Sequence, residues 1–147
     1  MKILIINGPN LNMLGRREPE VYGDQAFEPY FAELCRAYPG TYLRYVQTNC
    51  EGTIIDELHA AYIGNDDQQA DAVILNAGAY THYSYAIADA IRAVSPLPVI
   101  EVHISQPAAR ESFRHESVIA PVCRGSISGF GLDSYRLAVE AVLNQLK

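Results

Sequence analysis

The chain has 147 residues, of which 49% are hydrophobic and 19% are charged, and its formal net charge is −6. This length and composition predict one globular domain spanning residues 1–147 and exclude a disordered chain. The acidic balance argues against a nucleic-acid partner, and no apolar run approaches the roughly 20 residues that a membrane-spanning helix needs, so we expect no membrane partner.

Alternating patterns along the chain predict an α/β protein. Short apolar runs predict five β-strands, at 3–7, 42–47, 72–76, 99–104 and 117–123. Helical periodicity predicts α-helices over 25–38, 52–64, 86–94 and 132–146, with one or two helical turns at 108–113. Near-continuous apolar strands that alternate with helices favour a parallel sheet covered on both faces. We therefore expect a flavodoxin-like, doubly wound, five-stranded parallel sheet of strand order 2-1-3-4-5.

The cysteine and lysine counts exclude several kinds of site. Cys35, Cys50 and Cys123 are an odd number of cysteines without CxxC spacing, which argues against a disulfide framework and suits a cytoplasmic protein. Lys2 and Lys147 are the only lysines and stand at the two ends of the chain. A Schiff-base mechanism needs a lysine in a pocket, and a Walker A loop needs one after its glycines, so both are disfavoured.

Ligands of doubly wound sheets bind beyond the carboxyl ends of the strands, at the point where the strand order reverses. The first, third and fourth strands should therefore carry the site. Their ends, at 7–10, 76–79 and 101–105, are all polar or glycine-rich.

The first strand is followed by a long segment, 9–24, without convincing periodicity. Long loops inside compact domains are usually functional, so we expect segment 9–24 to be an active-site lid. It holds Arg16 and Arg17 a few residues before Tyr22. A nearby guanidinium favours the phenolate form of a tyrosine, which would make Tyr22 a base. The spacing does not choose between the two arginines, and with ten tyrosines in the chain a merely packed Tyr22 remains an alternative.

The fourth strand ends with a carboxylate and an imidazole on one face. Residues i and i+2 of a strand point the same way, so Glu101 can fix the tautomer of His103. His103 is therefore a candidate general acid or base, with a structural histidine as the alternative. The amides of Ile104 and Ser105 lie just beyond and are placed to bind a substrate carboxylate.

Polar residues after the third strand add weaker signals. Asn76 and His82 have side chains that can bind hydroxyl groups or a carboxylate, and Arg110 and Arg114 add positive charge. The four histidines show no short ligand spacing, so we predict no metal site.

The sequence disfavours two other functions of the same fold. A flavin- or nucleotide-binding module needs a phosphate-binding loop after the first strand, where Pro9 instead removes an amide donor. A receiver-type signalling domain needs an aspartate at the end of the third strand, where Asn76 stands, and a lysine near the fifth strand.

Taken in order, the motifs of the sequence resemble those of type II 3-dehydroquinate dehydratases. They are NGPNLNMLG (7–15), REP (17–19), YG (22–23), EG (51–52), NAGAYTH (76–82), IEVHIS (100–105), RE (110–111), FRH (113–115) and GFG (129–131). The resemblance covers nearly the whole chain. It implies reversible dehydration of 3-dehydroquinate to 3-dehydroshikimate without metal or cofactor, in the shikimate pathway or alternatively in quinate breakdown. It also implies a homododecamer of four trimers.

The resemblance also implies roles for individual residues. Tyr22 would be the base and Arg17 its activator, Asn10 would hold a water at the enolate oxygen, and His103 would be the general acid beside Glu101. The implied substrate-binding residues are Asn76 and the amides of Ile104 and Ser105 for the carboxylate, His82 and Arg114 for ring hydroxyls, Arg110 on the lid side, and Asp89 reaching into a neighbouring subunit. Departures from the usual family residues are Cys50, Tyr83, Tyr85 and Gln106.

Overall fold

Five parallel strands form the sheet at the centre of the protein, which we describe from a computed structural model covering residues 1–146. The strands are β1 (Lys2–Asn7), β2 (Tyr42–Gln47), β3 (Ala72–Asn76), β4 (Val99–His103) and β5 (Gly125–Ser128). Their order across the sheet is β2-β1-β3-β4-β5. The predicted α/β, doubly wound fold and strand order are confirmed.

Helices cover both faces of this sheet. They are α1 (Pro19–Tyr22), α2 (Phe27–Ala37), α3 (Glu51–Ile63), α4 (Tyr85–Ala93) and α5 (Asp133–Gln145). On β1, Ile3 and Ile5 face a core shared with α2 and α5, whereas Leu4 and Ile6 face a core shared with α3 and α4. The two-residue period of a strand sends successive side chains to opposite layers, so an entirely apolar run satisfies both cores.

The predicted fifth strand at 117–123 is wrong. Residues Ala120–Val122 form a 3-10 turn, and the strand that pairs with β4 is Gly125–Ser128. Pro121 has no N–H to give to a ladder, which removes a bond that a strand there would need. The true strand is polar apart from Ile127, because it lies at the edge of the sheet and is largely exposed. Because the strand is mostly polar, the pattern of apolar runs does not indicate it.

Segment 9–24 contains short helical pieces that its sequence did not reveal. Leu11–Met13 is a 3-10 turn, and Pro19–Tyr22 is the single turn of α1, which ends at Gly23. The helical turns expected at 108–113 are also present, as two separate 3-10 turns, Pro107–Ala109 and Ser112–Arg114.

Sheet register brings the polar strand ends together. Asn7 on β1 lies beside Asn76 on β3. Beyond them the backbone of Gly8 approaches Ala77 so closely that a β-carbon on Gly8 would lie 2.7 Å from the Ala77 carbonyl oxygen. Only glycine allows this approach, which closes the loops after β1 and β3 over the sheet edge. Within residues 1–146 the helices are all too short or too polar to cross a bilayer.

Candidate active site

A cavity of about 140 Å³ opens at the carboxyl ends of β1, β3 and β4. Ligand pockets for drug-sized molecules measure roughly 300–1,000 Å³, so this one suits a smaller compact molecule. Ten of the predicted site residues contribute to its lining: Asn10, Arg17, Tyr22, Asn76, His82, His103, Ile104, Ser105, Arg110 and Arg114.

Tyr22 stands between two arginines at one wall of the cavity. The guanidinium of Arg110 donates from Nη1 to the Tyr22 hydroxyl oxygen at 2.7 Å. Arg17 lies over the ring, with its guanidinium carbon 4.7 Å from the ring centroid. Glu18 links the two cations, with its Oε2 3.3 Å from Arg17 Nη2 and 3.7 Å from Arg110 Nη2. Two guanidinium groups therefore lie beside the one phenol of Tyr22.

His103 also lines the cavity and pairs with Glu101, which lies behind it. The carboxylate Oε2 of Glu101 lies 3.3 Å from His103 Nε2. The hydroxyls of Ser117 and Ser126 also donate to this carboxylate, at 2.5 and 2.7 Å. Burial opposes ionisation of Glu101, but the hydrogen bonds from His103 and the two serines outweigh it and lower its pKa. A buried, anionic Glu101 therefore orients the imidazole of His103.

A buried hydrogen-bond network fixes the floor of the cavity. Tyr135, on α5, is fully buried and donates its hydroxyl to Asn7 Oδ1 at 2.7 Å. The same hydroxyl accepts from Asn76 Nδ2 at 2.9 Å. Asn76 Oδ1 in turn accepts from the amide of Gly78 at 3.2 Å. Gly78 takes a positive φ of 59°, which glycine adopts readily. The network sets which way the Asn76 amide faces.

His82 closes another side of the cavity. Its Nδ1 lies 2.7 Å from the carbonyl oxygen of Glu116. That contact identifies Nδ1 as the protonated nitrogen of the neutral ring and leaves Nε2 as an acceptor. Partial burial lowers the pKa of His82, which favours this neutral form. Arg114, two residues before Glu116 in the chain, pairs with Glu111.

Comparison with known proteins agrees with this geometry. The sequence model of the family described as "Dehydroquinase class II" matches residues 1–143. The chain belongs to this family. Among its relatives, a 3-dehydroquinate dehydratase of Exiguobacterium sp. is 56% identical over 97% of this chain and 94% of the relative. One from Caldicellulosiruptor bescii is 53% identical over 96% of this chain and 95% of the relative.

Solved structures lead to the same family. The type II dehydroquinase of Butyrivibrio crossotus superposes with a TM-score of 0.90 at 46% identity, covering 97% of each chain. That of Propionibacterium acnes gives a TM-score of 0.88 at 40% identity, covering 98% of this chain and 97% of the other. The resemblance inferred from the motifs is therefore confirmed, and with it the flavodoxin-like fold.

One predicted site residue lies apart from the dehydroquinase cavity. Asp89 is exposed on α4 and does not line the cavity of its own chain. Two of the departures from the family pattern are Tyr83, just before the same helix, and Tyr85, its first residue, which are 59% and 75% exposed. A third, Gln106, accepts from the Ser128 hydroxyl at 3.1 Å.

Sequence reasoning missed the residues that support the dehydroquinase site from behind. Ser117 and Ser126 bond to Glu101 from 16 and 25 residues away in the chain. Gln47, the last residue of β2, and Asn49, in the turn after it, bond to the loop that follows β1. Only the parallel pairing of β1 with β2 signalled that the end of β2 would lie near the cavity. The direct bond from Arg110 to Tyr22, 88 residues apart, had no local signal.

No group of three or more histidine, cysteine or acidic side chains is arranged to hold a metal ion in the part of the chain that the structure describes, residues 1–146.

Proposed function

We propose that the protein catalyses the reversible loss of water from 3-dehydroquinate to give 3-dehydroshikimate, through an enolate intermediate. The observation that carries this proposal is the pairing of a phenol flanked by two guanidinium groups with a carboxylate-supported imidazole across one small cavity. The family relationship supports the same reaction, since the relatives named above are 3-dehydroquinate dehydratases.

Tyr22 acts as the base in the first step. As a phenolate, stabilised by Arg17 and Arg110, it removes the proton α to the substrate ketone. The electron pair of that C–H bond moves onto the ketone oxygen and forms the enolate. Asn10, which lines the cavity, holds a water that donates to this oxygen. A preorganised donor at a developing oxyanion contributes on the order of 3 kcal/mol to transition-state stabilisation.

His103 acts as the acid in the second step. The enolate re-forms the ketone and expels the β-hydroxyl group as the carbon–oxygen bond breaks. Hydroxide is a poor leaving group, so the imidazolium of His103 protonates it and water departs. Glu101 stabilises the imidazolium at 3.3 Å. Each proton transfer of this kind contributes roughly 100- to 10,000-fold to the rate.

The other cavity residues bind the substrate. We assign the substrate carboxylate to Asn76 and the amides of Ile104 and Ser105, all of which line the cavity. His82 and Arg114 are assigned to ring hydroxyls. Segment 9–24 acts as the lid of this site, because it carries Tyr22 and its arginine to the cavity wall.

We further propose a homododecamer of four trimers, in which Asp89 completes the site of a neighbouring subunit. Its exposure on α4, away from its own cavity, supports this role. Light scattering should then give a mass twelve times that of the 16.2 kDa chain. We place the enzyme in the cytoplasm and the shikimate pathway, consistent with three free thiols, at Cys35, Cys50 and Cys123. Restored growth without aromatic amino acids in a strain that lacks its own dehydroquinase tests the pathway.

The test of the activity is an ultraviolet assay for the conjugated enone product with 3-dehydroquinate as substrate. Wild-type protein should form the product, and borohydride should leave the activity intact because no imine forms. Tyr22→Phe should lower kcat at least 100-fold with a similar KM, since the ring is retained and the base is lost. A variant that keeps more than a tenth of wild-type kcat would refute the tyrosinate mechanism.

A further inference from the structure

Asn10 adopts an unusual backbone conformation at the mouth of the cavity. Its φ is 68°, in the left-handed region that residues with a β-carbon enter at a cost and that asparagine tolerates better than most. The side chain makes no hydrogen bond that caps the 3-10 turn following it. The direction of its carboxamide therefore depends on how firmly the backbone of Asn10 is held.

Asn49, in the turn after β2, holds that backbone. Its side-chain Oδ1 accepts from the Asn10 amide N–H at 3.1 Å and from Gln47 Nε2 at 3.1 Å. Gln47 Nε2 also lies 3.1 Å from the carbonyl oxygen of Gly8, just before Asn10. The Asn49 carbonyl oxygen accepts from the Tyr80 hydroxyl at 2.9 Å. Asn49 thus ties together the chain segments that follow β1, β2 and β3.

The geometry assigns Asn49 as a positioning residue for the dehydration reaction. Its Oδ1 fixes the Asn10 backbone in the left-handed conformation and so aims the Asn10 carboxamide into the cavity. This inference rests on the proposed function, in which Asn10 holds the water that donates to the enolate oxygen. Asn49 itself does not line the cavity. Its effect on the reaction therefore passes through Asn10.

A truncation at this position should slow the chemistry more than it weakens binding. A displacement of about 1 Å in a reacting geometry can cost roughly 100-fold in rate. We expect Asn49→Ala to lower kcat at least tenfold and to change KM less than about twofold, because the Asn10 water matters most when charge develops on the oxygen. The matched control is Asn65→Ala. Asn65 Oδ1 also accepts two hydrogen bonds, from the amides of Asp67 and Gln68, in the loop after α3.

A double-mutant cycle with Asn10→Ala tests the route of the effect. If Asn49 acts through Asn10, adding Asn49→Ala to the Asn10→Ala protein should change kcat less than about twofold. An equal fall in kcat in both backgrounds, or wild-type kcat in the single Asn49→Ala variant, would overturn the assignment. A similar loss of kcat in Asn65→Ala would also overturn it, because kcat would then fall whenever a hydrogen-bonding asparagine is removed from a loop, whether or not it contacts Asn10.

One further measurement and one further variant keep these outcomes distinct. Thermal unfolding of each variant reports whether it is folded, and Asn49→Ser, whose shorter side chain falls short of the Asn10 amide, replaces Asn49→Ala if that variant does not fold. The same expectations then apply to Asn49→Ser. A wild-type protein that does not convert 3-dehydroquinate would refute the proposed function, whereas an active wild type with independent effects in the cycle would refute only the role of Asn49.

Discussion

Replacing Tyr135 by phenylalanine should destabilise the protein while leaving its core packing intact. The ring stays in place because its contacts, such as that with Phe27 at a centroid distance of 4.9 Å, do not involve the hydroxyl. The lost hydroxyl leaves Asn7 Oδ1 and Asn76 Nδ2 buried without their partner. Each buried group stranded in this way costs roughly 1–3 kcal/mol, so we expect a loss of about 2–4 kcal/mol in the free energy of unfolding.

Urea unfolding at fixed protein concentration, monitored by tyrosine fluorescence, measures this loss. Protein concentration must be fixed because association also stabilises the folded chain. Tyr30→Phe is the matched control, since the Tyr30 hydroxyl is buried and has no hydrogen-bond partner within residues 1–146. Its removal strands no partner and relieves the burial of an unpaired hydroxyl, so the free energy of unfolding should not fall. A Tyr135→Phe protein as stable as the control would refute the reasoning.

Three other predictions concern the charged groups of the site. Arg17→Lys should lower kcat at least tenfold, because an ammonium group cannot stack its charge over the Tyr22 ring as a planar guanidinium does; near-normal turnover would mean that Arg17 only anchors the lid. Burial raises the pKa of Glu101, but hydrogen bonds to its carboxylate outweigh burial and lower the pKa below the ordinary carboxyl value of 4.5. Below pH 4.5 the unfolded chain therefore binds more protons than the folded chain, and the free energy of unfolding falls as the pH drops. Urea titrations from pH 5 to 3 should show a shallower fall for Glu101→Gln, by up to about 1.4 kcal/mol per pH unit, and equal slopes would contradict this account. Burial lowers the pKa of His82 from 6.5, so its neutral form contributes stability that is complete above pH 6.5 and declines below it. His82→Gln should remove that decline, and an unchanged profile would exclude His82 as its source.

Most of the fold was predictable because its strands carry a strong apolar signal. β1 and β3 are buried on both faces, so their sequences had to be apolar throughout, and their bounds were found to within a residue. β5 was misplaced for the opposite reason. An edge strand buries little, so Gly125–Ser128 needed no apolar run, and the apolar residues upstream of it serve a 3-10 turn.

The candidate site was likewise predictable only in part. The motifs placed Tyr22, Glu101 and His103 at strand ends or in the first loop, where parallel topology brings side chains together. The i, i+2 spacing on a strand also predicted the contact between Glu101 and His103, but spacing did not predict which arginine contacts the Tyr22 hydroxyl. Arg110 bonds to the Tyr22 hydroxyl, while Arg17 stacks over the ring, and only the folded positions of the two loops distinguish these contacts.

The layered architecture, the expected sheet order and the family could all be inferred from the chain alone, because apolar periodicity and motif order are local properties of the sequence. The tertiary structure decided which distant groups bond to one another. Asn49 reaches Asn10, and Ser126 reaches Glu101, only because neighbouring parallel strands end at the same edge of the sheet. Hydrogen bonds act over about 3 Å, so these partners are set by register and loop path, which no local pattern records.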